Sequence, residues 1–439
     1  MNKKGFTLIE LLAVIVILAV IALITAPIVV GIINDSKESS NKISVTNYIR
    51  AVNTAITKAT ADNKIIKNGL YQIDKEGNIC LDEIENTKCV GEKINITANG
   101  NRPIVGNILI EEEVVARATI SYDDFSVEVG YDGKMEYKPF SLKYNVGQKV
   151  KVITGGESEG VNVDWYVIDE DKDTVTLLFS DVLLLSAWNN TTYHNLAITT
   201  GEKCVTGSCA YAGPIEAYSR LNNMFENIDI PYINYEHKNN PSTQSRVSYQ
   251  GLNIKNGEAT IITHNGTSIS SPFKVKARLI SAEEVLRIAS LYNSNITEQK
   301  LFEYLSNNID TINYIFNTNN STIDDFFEQG IVNNDLVSLY TAANTVLVSQ
   351  LYNGENPSEI KYEQLPSWLT IQDKSYWTNT TYDFKMANQL VSYPIQILSG
   401  IIGSEDLGVM YISKYYTSDS DTYIRPVIQM KKDDNRIHS

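Results

Sequence analysis

Histidine is scarce in this chain, and the residue patterns of common catalytic sites are missing. The four histidines lie far apart in the sequence, at His194, His237, His264 and His438. The sequence has no paired-histidine metal motif, no glycine-rich phosphate loop and no nucleophile motif. We therefore expect no bound metal, no cofactor and no enzymatic activity.

Positive charge is also in short supply. The chain has 37 Lys and Arg against 52 Asp and Glu, a net charge of -15. Nucleic-acid-binding proteins usually show a basic footprint, so we expect no nucleic-acid partner and no attraction to a bare anionic membrane. An acidic, self-repelling surface suits a soluble extracellular region.

Only four cysteines occur, and they form two close pairs, Cys80 with Cys89 and Cys204 with Cys209. Exported proteins meet oxidising conditions, so two local disulfides are the simplest prediction. Four cysteines nevertheless allow three pairings. A zinc site is the alternative, but neither pair has the short ligand spacing that zinc sites usually show.

One acidic stretch, residues 169–173, begins as a calcium loop begins, with carboxylates at alternate positions. A calcium loop requires glycine at its sixth position and glutamate at its twelfth. Here those positions hold Thr174 and Ser180. The stretch is therefore predicted to be the solvated turn of a hairpin.

The N-terminus contains the longest apolar run. Residues 11–33 are 23 residues without a charge, and as a helix they would reach about 34 Å, enough to cross a bilayer core of about 30 Å. Glu10 lies at the edge of this run, and a carboxylate kept there is a functional candidate. Lys3 and Lys4 precede the run, which places the leader in the cytoplasm and the bulk of the chain outside.

A basic leader that ends in Gly5, followed by Phe6, Glu10 and a long apolar run, closely resembles the N-terminus of type IV prepilins and pseudopilins. The resemblance implies that residues 1–5 are a leader cut after Gly5 by the prepilin peptidase, and that the new amine on Phe6 is methylated. It implies that Glu10 pairs with the Phe6 amine of a neighbouring subunit, with a further hydrogen bond from Thr7. The implied partners are other pilin subunits, contacted through this helix, the inner assembly platform, and the membrane before assembly.

Two other interpretations compete with this resemblance. A secretory signal peptide would have an apolar region of about 7–15 residues and a small-residue cleavage site. The run is longer, and a cut at Ala26 would leave Pro27 directly after it, which is unfavourable. A plain single-pass anchor fits the run but needs neither Gly5 before Phe6 nor Glu10.

The helix is predicted to continue past the apolar run. Apolar residues recur at helical spacing and occupy one face of the helix, namely Val45, Ile49, Val52, Ile56 and Ala59. We therefore expect residues 35–138 to form a globular part in which this face of the helix packs on a sheet. Pro27, inside the assembly segment 6–34, should kink or loosen the helix.

Strand patterns follow at residues 104–110, 114–120 and 125–131. Asp132-Gly133 then separates two alternating runs, which predicts a two-residue hairpin. A long helix followed by an antiparallel sheet matches the globular part of pilins, and Cys80–Cys89 would close the loop between them.

Residues 147–439 are predicted to form a second, mixed α+β region, so the whole chain is α+β. This region opens with a hairpin on both sides of residues 169–173, has a capping box at Ser281–Glu284, continues largely helical over residues 282–352, and ends in strands at 409–412 and 423–430. Residues 165–168, 377–378 and 424–427 weakly resemble a recurrent domain of bacterial surface proteins that looks distantly like C-type-lectin or formylglycine-generating-enzyme folds.

The main hypothesis is a minor pilin near a filament tip, whose second region binds an extracellular ligand and mediates adhesion. One alternative is a pseudopilin of a secretion or DNA-uptake machine. Another is a membrane-tethered enzyme that acts on glycans, which would need clustered acidic residues in a cleft.

Overall fold

The computed structural model describes residues 8–81, 84–85, 88–89, 93–154, 161–184, 215–236, 247–251, 253–262, 268–292, 366, 368–369, 371, 374–386, 389–402, 405–412 and 422–438. The chain combines helices with mainly antiparallel sheets, so the predicted α+β class is confirmed.

One helix dominates the N-terminal part. Helix α1, Leu8–Ala61, has 54 residues, a length of about 81 Å. The helix continues through Pro27, whose missing N–H does not end it. Among the residues that the structure describes, no helix is both long and apolar enough to cross a membrane, so the predicted span of residues 11–33 is not confirmed.

The first sheet follows α1, and its order is β5-β2-β1-β6-β7-β8-β9, antiparallel throughout. Its strands are β1 (Gly69–Ile73), β2 (Ile79–Cys80), β5 (Lys93–Ile94), β6 (Val105–Glu111), β7 (Val114–Ser121), β8 (Ser126–Val129) and β9 (Met135–Lys138). A separate hairpin consists of β3 (Ile84–Glu85) and β4 (Lys88–Cys89). The strands predicted at 104–110, 114–120 and 125–131 are confirmed as β6, β7 and β8, whereas β1, β2 and β5 were not predicted.

The predicted face of α1 packs on this sheet. Val45, Val52 and Ile56 are fully buried, with Ile49 packed beside them, and they contact sheet residues such as Ile108. Tyr48, on the same face, is also buried and its hydroxyl donates to the carbonyl of Gly77 at 2.9 Å. The helical periodicity therefore identified the correct side of α1.

Strand β6 is buried along almost its whole length, with six of its seven residues buried. Ile108 and Ile110 pack towards α1, whereas Leu109 packs in a separate cluster with Leu70 and Leu291. Successive side chains of a strand point to opposite faces, so the sheet is covered on both sides. We call the side turned away from α1 the outer face.

A hairpin does turn at Asp132-Gly133 as predicted, but the predicted loop length of two residues is wrong. Val129 pairs with Met135, so the loop between β8 and β9 has the five residues 130–134. Asp132 Oδ1 accepts the N–H of Lys134 at 3.0 Å, and Gly133 has a φ of 73°. The aspartate closes the turn with its own side chain, and this wider loop removes Tyr131 from the strand.

Cys80 and Cys89 are joined by a disulfide, with Cα atoms 5.8 Å apart. The bond ties the β3–β4 hairpin to β2. Cys204 and Cys209 lie outside the described residues.

The second region is built on a sheet in the order β17-β22-β12-β11-β10-β23. Its strands are β10 (Lys149–Thr154), β11 (Val161–Glu170), β12 (Thr174–Phe179), β17 (Ala277–Leu279), β22 (Pro426–Lys431) and β23 (Ile437–His438). The described residues of this region include two helices, α2 (Ile215–Phe225) and α3 (Ala282–Tyr292). The chain end thus pairs with the start of the region, through β23 and β10.

Two further sheets complete the described part of the second region. One has the order β13-β18-β19-β20, with a short parallel strand β21 beside β18; these are Val247–Gly251, Ser375–Met386, Gln389–Ile402, Glu405–Ile412 and Thr422–Tyr423. The other is β14-β15-β16, formed by Asn253–Lys255, Glu258–Ile262 and Ser268–Lys274.

Most of the predicted elements of the second region that fall on described residues are confirmed. Strands β11 and β12 form the predicted hairpin, α3 begins at the predicted capping box, and β20 to β22 supply the predicted terminal strands. The helical prediction beyond Tyr292, over residues 293–352, lies outside the described residues.

Candidate functional site

The first half of α1 exposes an apolar surface. Among the side chains described there, nine large apolar ones are between 50% and 79% exposed, namely Leu12, Ile15, Val16, Ile17, Leu18, Leu23, Val29, Ile32 and Ile33. Contiguous exposed apolar surface of this kind marks a site of association with a protein or a membrane. We call this surface the assembly face.

The predicted processing residues precede this surface in the sequence. Gly5, Phe6 and Thr7 are outside the described residues, and so is the side chain of Glu10, whose backbone belongs to the first turns of α1. The structure therefore places Glu10 on the same continuous helix as the assembly face. The pairing of Glu10 with a neighbour's amine stays a prediction.

The hairpin predicted at the acidic stretch 169–173 is present, but its turn is shorter, because Asp169 and Glu170 still belong to strand β11. Asp171 Oδ1 accepts the N–H groups of Asp173 and Thr174 at 2.8 and 2.7 Å. Glu170 turns inward and contacts Lys432 Nζ at 2.7 Å, and burial raises the pKa of its carboxyl group. Within the described ranges, no group of three or more His, Cys, Asp or Glu residues could hold a metal ion.

Arg425, in one of the segments that carried the weak lectin-like resemblance, is fully buried. Its guanidinium donates to the carbonyls of Phe179, Leu369 and Trp368 at 2.6–2.7 Å. Its Nη1 also lies 3.3 Å from the hydroxyl of Tyr376. Burial lowers the pKa of Arg425. Because all three guanidinium nitrogens of Arg425 contact protein oxygens, this arginine has a structural role: it holds the surrounding segments together.

A second buried arginine supports α3. Arg278 is 1% exposed and forms a two-pronged salt bridge with Glu284, at 2.7 and 2.5 Å, while its guanidinium lies 4.1 Å from the Tyr235 ring. Glu284 also accepts the Ser281 N–H at 2.9 Å, and Ser281 Oγ accepts the Glu284 N–H at 3.1 Å. The predicted capping box is confirmed, and Arg278 of the preceding strand β17 joins it through Glu284.

Replacing Glu284 with glutamine is expected to destabilise the second region by about 3–5 kcal/mol, because it leaves the buried charge of Arg278 uncompensated. Burial alone would raise the pKa of Glu284, but the charge and hydrogen bonds of Arg278 outweigh it and lower that pKa. The carboxylate therefore adds stability above its unfolded pKa, and this stability is lost as the pH falls through the folded pKa.

Urea unfolding of both proteins at neutral and acidic pH would measure this effect. The stability difference between parent and Glu284→Gln should shrink in acid. Glu258→Gln is the matched control, since Glu258 pairs with Lys274 on the surface, and it should leave the unfolding midpoint unchanged. Equal effects from the two variants would contradict the role assigned to the buried pair.

Comparison with known proteins agrees with the N-terminal pattern. Residues 1–26 match the family model described as the prokaryotic N-terminal methylation motif. No curated protein and no solved structure matches the chain. The motif implies processing by the prepilin peptidase and assembly with other pilin subunits. The first 26 residues therefore carry the type IV prepilin and pseudopilin signal, as Gly5, Phe6 and Glu10 predicted.

Proposed function

We propose that this chain is a minor pilin, cut after Gly5, methylated on Phe6 and held in the membrane by its apolar segment until it enters a surface filament. The observation that carries the proposal is the methylation motif joined to the exposed assembly face of α1. An apolar helix surface that remains exposed in the isolated subunit requires a bilayer or other subunits to cover it.

The second region is proposed to lie at or near the filament tip and to bind an extracellular ligand, which gives the subunit an adhesive rather than a catalytic role. A region of about 290 residues has a radius of gyration of about 19 Å, whereas helices in a core pack about 8–10 Å apart. A filament that contains few copies of so large a subunit avoids crowding on its surface.

Immunogold labelling with antibodies against the second region, on intact cells, tests this proposal. The expected result is sparse label at filament ends, with lost adhesion when the gene is deleted. Uniform label along the filaments at the density of the major subunit would overturn the tip location. Absence of label from filaments, together with failed secretion or DNA uptake in the deletion strain, would identify a pseudopilin instead.

A further inference from the structure

The segment between the two regions has no free backbone donor. Residues 142–148, which we call the junction segment, have seven N–H groups, and each one donates a hydrogen bond. The acceptors are Ser121, Glu170 (twice), Gln148, Asn107, Val167 and Asn145. A flexible linker would leave these groups to water, so the junction segment is built into the fold.

These bonds reach both regions. Leu142 donates to Ser121 of β7 at 2.6 Å and Val146 to Asn107 of β6 at 3.3 Å, both in the first sheet. Lys143 and Tyr144 donate to Glu170, at the end of β11 in the second region. Neighbouring residues of the junction segment are therefore hydrogen bonded to different regions, some to the first sheet and others to the second region.

Asn145 strengthens the attachment from within the junction segment. It is 2% exposed, and its Oδ1 accepts the N–H of Gly106 at 2.7 Å. A Cβ on Gly106 would lie 2.2 Å from the carbonyl oxygen of Thr119, so no side chain fits there. The neighbouring Gly147, at a φ of 86°, packs against Trp368 and Tyr292, whose side chains are hydrogen bonded at 2.9 Å.

The end of α3 adds a second, independent attachment on the outer face of the first sheet. Leu291 packs with Leu70 and Leu109 in a buried cluster. Ser290 accepts a hydrogen bond from Arg117 at 3.0 Å on its hydroxyl, and one from Tyr131 at 2.7 Å on its carbonyl. Burial raises the pKa of Tyr131 to about 12, so this hydroxyl keeps its proton and can donate.

The far end of α1 is left uncovered by these contacts. Ile65, just past the helix, is 90% exposed, and Val114, after the β6–β7 turn, is 52% exposed. Glu112 and Glu113 in that turn are exposed too. The second region therefore attaches beside the sheet rather than over the end of α1.

We propose that the second region is a rigid lateral block, fixed to the outer face of the first sheet at two places, and that the junction segment does not act as a hinge. A ligand of the second region would be held at a constant angle to α1, on the side of the first sheet that faces away from α1. This last consequence rests on the proposed function, whereas the rigidity does not.

Hydrogen exchange measured by mass spectrometry on the detergent-solubilised full-length chain tests the rigidity. Peptides covering the junction segment should exchange as slowly as those of the strands in the first sheet. Asn145→Ala, which removes the acceptor of Gly106, should speed exchange in the junction segment by at least about tenfold, because opening the joint becomes easier. Asn95→Ala is the matched control at an exposed position and should behave as the parent.

Exchange of the parent junction segment at the rate of an unstructured peptide would overturn the proposal, even if Asn145→Ala does not fold. Equal exchange rates in the parent and in Asn145→Ala would show that Asn145 does not help to hold the junction segment, and would contradict its proposed attachment to the first sheet. These readouts need no filament, so a failure of the proposed pilin function would leave them intact and would appear only in the labelling experiment.

Discussion

Replacing Gly5 with valine is expected to leave the chain in the membrane as an uncleaved precursor. The methylation motif at residues 1–26 implies cleavage by the prepilin peptidase. That enzyme must bring its carboxylates to the carbonyl between Gly5 and Phe6, and a branched side chain at position 5 would obstruct the approach. Mass spectrometry of the N-terminal peptide from membrane fractions would measure the result.

Gly31→Val is the matched control for this prediction. A Cβ at Gly31, within α1, would meet nothing within 4 Å, so the same substitution there should not impede cleavage. Gly31→Val should begin at Phe6, whereas Gly5→Val should still begin with the leader. Detection of Phe6 as the N-terminus of Gly5→Val would contradict the prepilin assignment.

Replacing Glu10 with valine is expected to block entry into filaments. Insertion into the membrane, cleavage after Gly5 and folding of the two regions that follow the apolar segment should be unchanged. A carboxylate in an apolar environment needs a counter-charge, and the amine freed on Phe6 of an adjacent subunit supplies it. Losing one partner of a buried pair costs about 3–5 kcal/mol. A tenfold loss of incorporation requires only about 1.4 kcal/mol, so the defect should be large.

Sheared-filament fractionation of tagged variants beside the parent would measure incorporation, with cleavage checked in the membrane fraction. Glu38→Val removes the same charge further along α1, where Glu38 forms a half-exposed pair with Lys42, and it should enter filaments normally. Normal incorporation of Glu10→Val would refute the pairing role. Equal losses from both substitutions would point to a general effect of charge on α1.

Local periodicity and short motifs in the sequence were enough to predict several features of the fold. The spacing of Val45, Val52 and Ile56 selected the buried side of α1, because a helical period places these residues on one face. Alternation found the β11–β12 hairpin, and Ser281 with Glu284 found the start of α3. The N-terminal prepilin signal could also be recognised, because its residues lie close together in the sequence.

The element that covers the outer face of the first sheet could be identified only from the folded chain. The contact between Leu109 and Leu291 joins residues far apart in the chain, and no local pattern specifies such a pair. The same holds for Arg425, which appears in the sequence as an ordinary charge but is buried by partners from distant segments. The five-residue turn around Asp132 was missed because side-chain hydrogen bonding, rather than the dipeptide, sets its length. Strand and helix periods encode which side of an element is buried, whereas the identity of the covering element depends on long-range packing.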